Sequence, residues 1–200
     1  MLSKLILFSF VALLLQTQPK TILFFGDSLT AGYGLSPDQA FPALVEKELL
    51  KGNKKVKVIN AGLSGETSAG GLSRIDWTLR EPIDVFVLEL GGNDGLRGLP
   101  LEQTKKNLQS IIDKVRAKYP KVKIILAGMM VPPNMGKEYS DEFKKMYPTL
   151  AEKNKAGLIP FLLEGVAGIE KLNQPDGIHP NIEGHQIVAK NLVKFLVKVI

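Results

Sequence analysis

The chain contains no cysteine and only two histidines, His179 and His185, in 200 residues. The first absence excludes disulfides, thiolate metal sites and a cysteine nucleophile, and it fits either redox compartment. The second leaves little material for a histidine-rich metal centre. Phosphate-binding loops are missing as well. The stretch "GYGLSP" places Pro37 where a G-x-G-x-x-G fingerprint needs its last glycine, and "GLSGET" and "GGNDGL" lack the Lys-Ser/Thr of a nucleotide-binding loop. No G-x-S-x-G elbow occurs. The net charge of +6 is spread along the sequence, with short lysine runs at 54–57 and 144–145. No RNP, helix-turn-helix or zinc-finger pattern accompanies it. Lysines on solvated faces, with at most a weak preference for anionic surfaces, are therefore a better reading than a nucleic-acid partner.

Two hundred residues suit one domain with a substantial core, and 44% hydrophobic with 23% charged residues is ordinary for a soluble α/β protein. Residues 1–20, "MLSKLILFSFVALLLQTQPK", stand apart. Lys4 precedes an apolar run from Leu5 to Leu15, shorter than the roughly 18 residues of a spanning helix. The order is that of a signal peptide, implying export, although no clean small-x-small site follows. An uncleaved N-terminal anchor and a plain N-terminal helix are the alternatives.

From Thr21 to Ile200 strands and amphipathic helices alternate in a single domain, with no repeat or linker. Strands are expected at 21–25, 55–61, 84–90, 121–129 and 158–162. Helices are expected at 41–50, 101–119 and 182–200, the last capped by Asn181. Such alternation requires crossover connections, hence a parallel sheet with helices on both faces. Ligands of such sheets bind beyond the carboxyl ends of the strands.

The chemically useful residues fall there. Gly26-Asp27-Ser28 follows the first strand, Gly62 the second, Gly91-Gly92-Asn93-Asp94 the third, and "DGIHP" (176–180) the last. A serine hydroxyl needs a neighbouring base, and His179 is the best candidate, since imidazole as a side chain can take and give a proton near neutral pH. Asp176, three residues earlier, can hold the imidazole and fix its tautomer. The Ser28 and Gly62 amides and the Asn93 side chain can donate to a developing oxyanion. Taken singly, each cluster is ordinary turn chemistry; together they supply nucleophile, base, orienter and oxyanion donors. His185 competes for the role of base, but its place in the closing helix reads as a core histidine. Glu89, an acid in an apolar strand, needs buried partners. Asp27 and Asp94 are expected to accept backbone hydrogen bonds in their own turns. The segment 129–147, with Met129, Met130, Pro132, Pro133, Met135, Phe143 and Met146, either walls an acyl groove or packs a helix into the core.

"GDSLTAGYGL", "NAGLSGET", "ELGGNDGLRG" and "DGIHPN" resemble, in order and spacing, the four blocks of the SGNH hydrolases, also called GDSL esterases/lipases. The likeness spans Thr21 to the C-terminus and is strongest to the bacterial arylesterase/acyl-CoA thioesterase/lysophospholipase branch, usually periplasmic. It implies a three-layer flavodoxin-like fold with five parallel strands in the order 2-1-3-4-5. It implies Ser28 as nucleophile, His179 as base, Asp176 as its partner, and Gly62 and Asn93 as oxyanion donors with the Ser28 amide. It also implies a small acyl ester or thioester substrate, lysophospholipid included, with no metal or organic cofactor. A carbohydrate O-deacetylase on the same scaffold and a non-catalytic binding module are the alternatives. No stable protein partner is expected, and a monomer is the default.

Overall fold

The computed structural model describes residues 18–200; residues 1–17, most of the segment read as a signal peptide or anchor, lie outside the described residues. Five strands, β1 (Lys20–Gly26), β2 (Val56–Gly62), β3 (Val85–Glu89), β4 (Lys123–Ala127) and β5 (Gly157–Ile159), form one sheet. The sheet runs β2-β1-β3-β4-β5, and every pairing is parallel. The expected order and sense are therefore found. β1 and β3 occupy the middle, and Ile22 to Phe25 and Val85 to Leu88 are each at most 1% exposed. Strands covered on both faces have no solvent side to alternate with, which explains their unbroken apolar runs.

Seven helices accompany the sheet among the described residues: α1 (Ser28–Ala31), α2 (Phe41–Lys51), α3 (Ser68–Thr78), α4 (Gly92–Leu96), α5 (Leu101–Lys118), α6 (Lys137–Lys153) and α7 (Ile182–Leu196). α5 buries Leu101, Leu108, Ile111, Ile112 and Val115, one helical stripe. Asn181 caps α7 by accepting the Gly184 N–H at 3.1 Å, as its sequence position suggests. α7 stops at Leu196, four residues short of the expected end, and the chain closes in tighter turns.

Three strands are shorter than the sequence suggests, β3 by one residue at each end. β5 ends at Ile159 because Pro160 has no N–H for the ladder. β4 begins at Lys123 because Tyr119 to Val122 close a turn, with the Val122 N–H on the Tyr119 carbonyl. α3 was not anticipated: "SAGGLSRIDWT" carries two glycines, which weaken a helical reading. One of them brings the helix down onto the sheet. A Cβ on Gly71 would lie 2.3 Å from Leu90 and 3.1 Å from Phe25.

Candidate active site

All strands point the same way, so the loops after β1, β2 and β3 meet at one edge. Gly26 pairs with Gly62 at the ends of β1 and β2. Both are forced by crowding. A Cβ on Gly26 would meet Thr30 Oγ1 at 2.2 Å and Glu89 Oε2 at 2.3 Å; one on Gly62 would meet the Ala31 amide nitrogen at 2.1 Å. Asp27 then caps α1, its Oδ1 accepting the Leu29 N–H at 3.1 Å. Ser28 is thereby fixed as the first residue of α1. First-turn amides have no intrahelical acceptor, and the Ser28 N–H has none elsewhere among the described residues.

Asp176-Gly177-Ile178-His179 forms a turn after β5, with Gly177 at a positive φ of 75°. Asp176 Oδ1 accepts the N–H groups of Ile178 and His179, both at 3.0 Å. Its Oδ2 lies 2.7 Å from His179 Nδ1, and His179 Nε2 lies 2.9 Å from Ser28 Oγ across 151 residues of chain. Hydroxyl, imidazole and carboxylate thus form one continuous chain. Partial burial works against the Asp176 anion, but the backbone and imidazole donors prevail and hold its carboxyl below the usual range.

Two of the three expected oxyanion donors are already engaged. The Gly62 N–H donates to Asn60 Oδ1 at 3.0 Å, within its own turn. Asn93 Nδ2 donates to Asp27 Oδ2 at 3.0 Å and to the Glu66 carbonyl at 3.1 Å. Asn93 therefore stands beside the Ser28 turn, with its amide anchored. Its neighbour Asp94 departs from expectation. It reaches out of its own turn to Ser68, taking the N–H at 2.8 Å and the hydroxyl at 2.5 Å, and accepts from Thr104 Oγ1 at 3.1 Å. These bonds tie α4 to the starts of α3 and α5. Asp27 does accept in its own turn, and Asn93 besides.

Beneath the Ser28 turn lies Glu89, fully buried. Its Oε2 accepts the Asp27 N–H at 3.1 Å and the Thr30 hydroxyl at 2.7 Å, while Oε1 has no hydrogen-bond partner. Burial, then the Asp27 charge, pushes the Glu89 carboxyl well above its ordinary 4.5. Burial likewise raises Asp27 to about 6, against the lowering pull of the Leu29 and Asn93 hydrogen bonds. The stability linked to a raised carboxyl is complete below its unfolded value and is lost as pH climbs through the folded one. Relative to wild type, Glu89→Gln should therefore gain in urea midpoint between pH 5 and pH 8. A difference constant with pH would mean that the folded chain holds no proton there.

His185 is the core histidine that its helix suggested: Nδ1 accepts the Phe41 N–H at 3.0 Å, and burial lowers its pKa to about 4.

Three contributors had no sequence signal. Arg74 donates to the carbonyls of Gly26 (3.3 Å) and Ala61 (2.9 Å) and to both Glu66 oxygens, so one guanidinium clamps the ends of β1 and β2. Tyr33 lays its ring on His179, centroids 4.7 Å apart. Gln174 donates from Nε2 to the carbonyls of Tyr33 (2.7 Å) and Pro180 (3.0 Å), and its own N–H reaches the His179 carbonyl at 2.7 Å. Because the Tyr33 N–H bonds the Ser28 carbonyl, Ser28, Tyr33, Gln174 and His179 close a ring around the Ser–His contact. Gln174→Met keeps length but deletes both side-chain bonds. It is expected to lower kcat on a short p-nitrophenyl ester about tenfold, leaving KM within about twofold, because alignment of Ser28 and His179 is disturbed and the cleft is not. An unaltered kcat would make Gln174 mere loop filler.

The site opens into a cleft of about 450 Å³ whose walls include Leu96, Met129, Val131, Phe161, Leu163 and Ile178. Segment 129–147 is divided between cleft and core. Met129, Met130 and Pro132 face the cleft, whereas Phe143 and Met146 are buried in the core under α6.

A family model, the GDSL-like lipase/acylhydrolase family, matches residues 24–187. Esterase TesA of Pseudomonas aeruginosa is 42% identical over 186 residues, covering 91% of this chain and 92% of its own. Thioesterase 1/protease 1/lysophospholipase L1 of Escherichia coli is 40% identical over 177 residues, covering 88% and 83%. A crystal structure of TesA superposes with a TM-score of 0.85 at 40% identity, over 90% of this chain and all of that one. With the sheet order, the blocks and their meeting point, these likenesses lead to one statement: the chain belongs to the GDSL-like lipase/acylhydrolase, or SGNH hydrolase, family.

Proposed function

We propose that the chain is a serine hydrolase that cleaves carboxylic esters or thioesters through an acyl-enzyme on Ser28. The reading is carried by the hydrogen-bonded line from Ser28 Oγ through His179 to Asp176. His179 Nε2 takes the Ser28 proton as Oγ attacks the carbonyl carbon, and Asp176 holds the imidazolium that forms. The oxyanion is received by the Ser28 N–H, with the Gly62 N–H and Asn93 Nδ2 turning to it from their resting acceptors. His179 then protonates the departing alcohol or thiol. Water, deprotonated by the same imidazole, attacks the acyl carbon and releases the carboxylic acid, returning the proton to Ser28. No step needs a metal or organic cofactor.

A fluorophosphonate should label the peptide containing Ser28 at one equivalent, and labelling elsewhere or not at all would overturn the assignment. Asn93→Ala is expected to lower kcat about a hundredfold to a thousandfold with a much smaller change in KM, since its bond to oxygen is strongest in the transition state.

Relatives named as esterase and as thioesterase/lysophospholipase support acyl substrates, and an apolar cleft suits an acyl chain. Hydrolysis should strengthen with acyl length before it falls. A carbohydrate O-deacetylase would instead release only acetate, a pattern that a chain-length series separates. Export is the location we infer, from Lys4, the apolar run and the polar residues that follow it. Among the described residues no helix is long and apolar enough to cross a membrane.

A further inference from the structure

The charge that looks dispersed in the sequence is gathered by the fold. Because every strand is parallel, the strand starts and the ends of the long helices share the edge opposite the Ser28 site. The segments there are 20–21, 51–57, 78–86, 118–124, 153–158 and 196–200. They hold twelve of the chain's 26 lysines and arginines, with two of its 20 acidic residues, Glu81 and Asp84. The rest of the sequence carries 14 basic and 18 acidic residues, so the molecule is polarised, with its basic pole remote from the catalytic line. All twelve basic side chains are exposed except half-buried Lys54. The two acids are occupied by Lys57 and Lys20. Lys54, Lys55, Lys121, Lys153 and Lys155 have no ion-pair partner among the described residues. Cross-bonds confirm that the segments are neighbours: Lys118 reaches the Leu79 carbonyl, Tyr119 the Glu81 carbonyl, and Lys123 the Val199 carbonyl.

Apolar side chains fringe the same pole. Trp77, in the last turn of α3, is 73% exposed, with the Arg80 guanidinium 3.4 Å above its ring; Leu50 and Val197 are also exposed. The chain enters this edge at Lys20, a few residues after the apolar run from Leu5 to Leu15.

We propose that this basic pole docks on the surface of an anionic phospholipid bilayer, with Trp77 at the headgroup level and the acyl cleft directed away from the membrane. Lysines and arginines supply long-range attraction to anionic headgroups, and an exposed tryptophan beside them suits the boundary between water and lipid. A nucleic acid would use the charge but not the apolar fringe. The cleft, at the other pole, then draws acyl substrates from the aqueous side.

Trp77 is the chain's single tryptophan, so its emission reports on this face alone. The full-length protein is to be mixed with vesicles of phosphatidylcholine, with or without about 30% phosphatidylglycerol, and with brominated acyl chains. Binding to anionic vesicles is expected to be at least about tenfold tighter than to neutral ones, to weaken with salt, and to quench Trp77. The triple variant Lys55→Glu, Lys121→Glu, Lys155→Glu should bind anionic vesicles about a hundredfold more weakly, with its circular dichroism unchanged. Equal binding to neutral and anionic vesicles would overturn the proposal. So would binding without quenching, a variant that binds like wild type, or tighter binding to duplex DNA than to the vesicles.

Discussion

Ser28→Ala should lower kcat for a short p-nitrophenyl ester by a factor on the order of 10^4 to 10^6, the loss usual when a hydrolytic triad is deprived of its nucleophile. The substitution removes one oxygen whose only described side-chain partner is His179 Nε2. The cap from Asp27 to Leu29 and the paired strand ends are left in place. The melting temperature should accordingly stay close to that of wild type, and the cleft should still admit substrate. Turnover within about tenfold of wild type would exclude an acyl-serine route, since oxyanion donors and binding alone cannot sustain it.

Asp176→Asn is the second large effect, with an expected fall in kcat of about 10^4-fold. Here the shape is retained and the proton is misplaced. Asp176 Oδ1 serves two backbone N–H groups, and Oδ2 faces His179 Nδ1. In the variant the remaining oxygen keeps the two backbone bonds, which presents the new NH2 to Nδ1. His179 must then carry its proton on Nε2, where it can no longer receive one from Ser28. Asp176→Ala would lose the turn as well, so the asparagine variant isolates the tautomer. The low folded pKa of Asp176 has a sign of its own: its stabilising contribution is present above the usual aspartate range and is lost as pH falls through the lowered value. The wild-type turn therefore keeps its carboxylate ionised at neutral pH. An asparagine variant as active as wild type would remove Asp176 from the mechanism.

What could be read from the chain beforehand was whatever repeats locally or closes a turn. Apolar runs marked the central strands, and glycine-rich ends marked the loops that carry Ser28, Gly62 and Asn93. Long-range partners were harder. Gln174 and Arg74 act on main-chain carbonyls, which every residue possesses, so no pattern of residue types announces the contact. Asp94 was assigned to its turn because an aspartate after glycines usually belongs there; the hydroxyls of Ser68 and Thr104 offered it better partners across the fold. The basic pole was hidden for a geometric reason. Its lysines come from six separate segments, and only the parallel sense of the strands brings them to one edge.

In the mechanism proposed above, the resting engagement of Asn93 and Gly62 would also shape selectivity along the reaction coordinate. A neutral carbonyl entering the cleft is a poor competitor for an amide already satisfied by Asp27 and by the Glu66 main chain. An oxygen bearing nearly a full negative charge competes far better. On the proposed route the Gly62 N–H and Asn93 Nδ2 would leave their resting acceptors only when the acyl carbon becomes tetrahedral, which favours the fleeting species over the stable one.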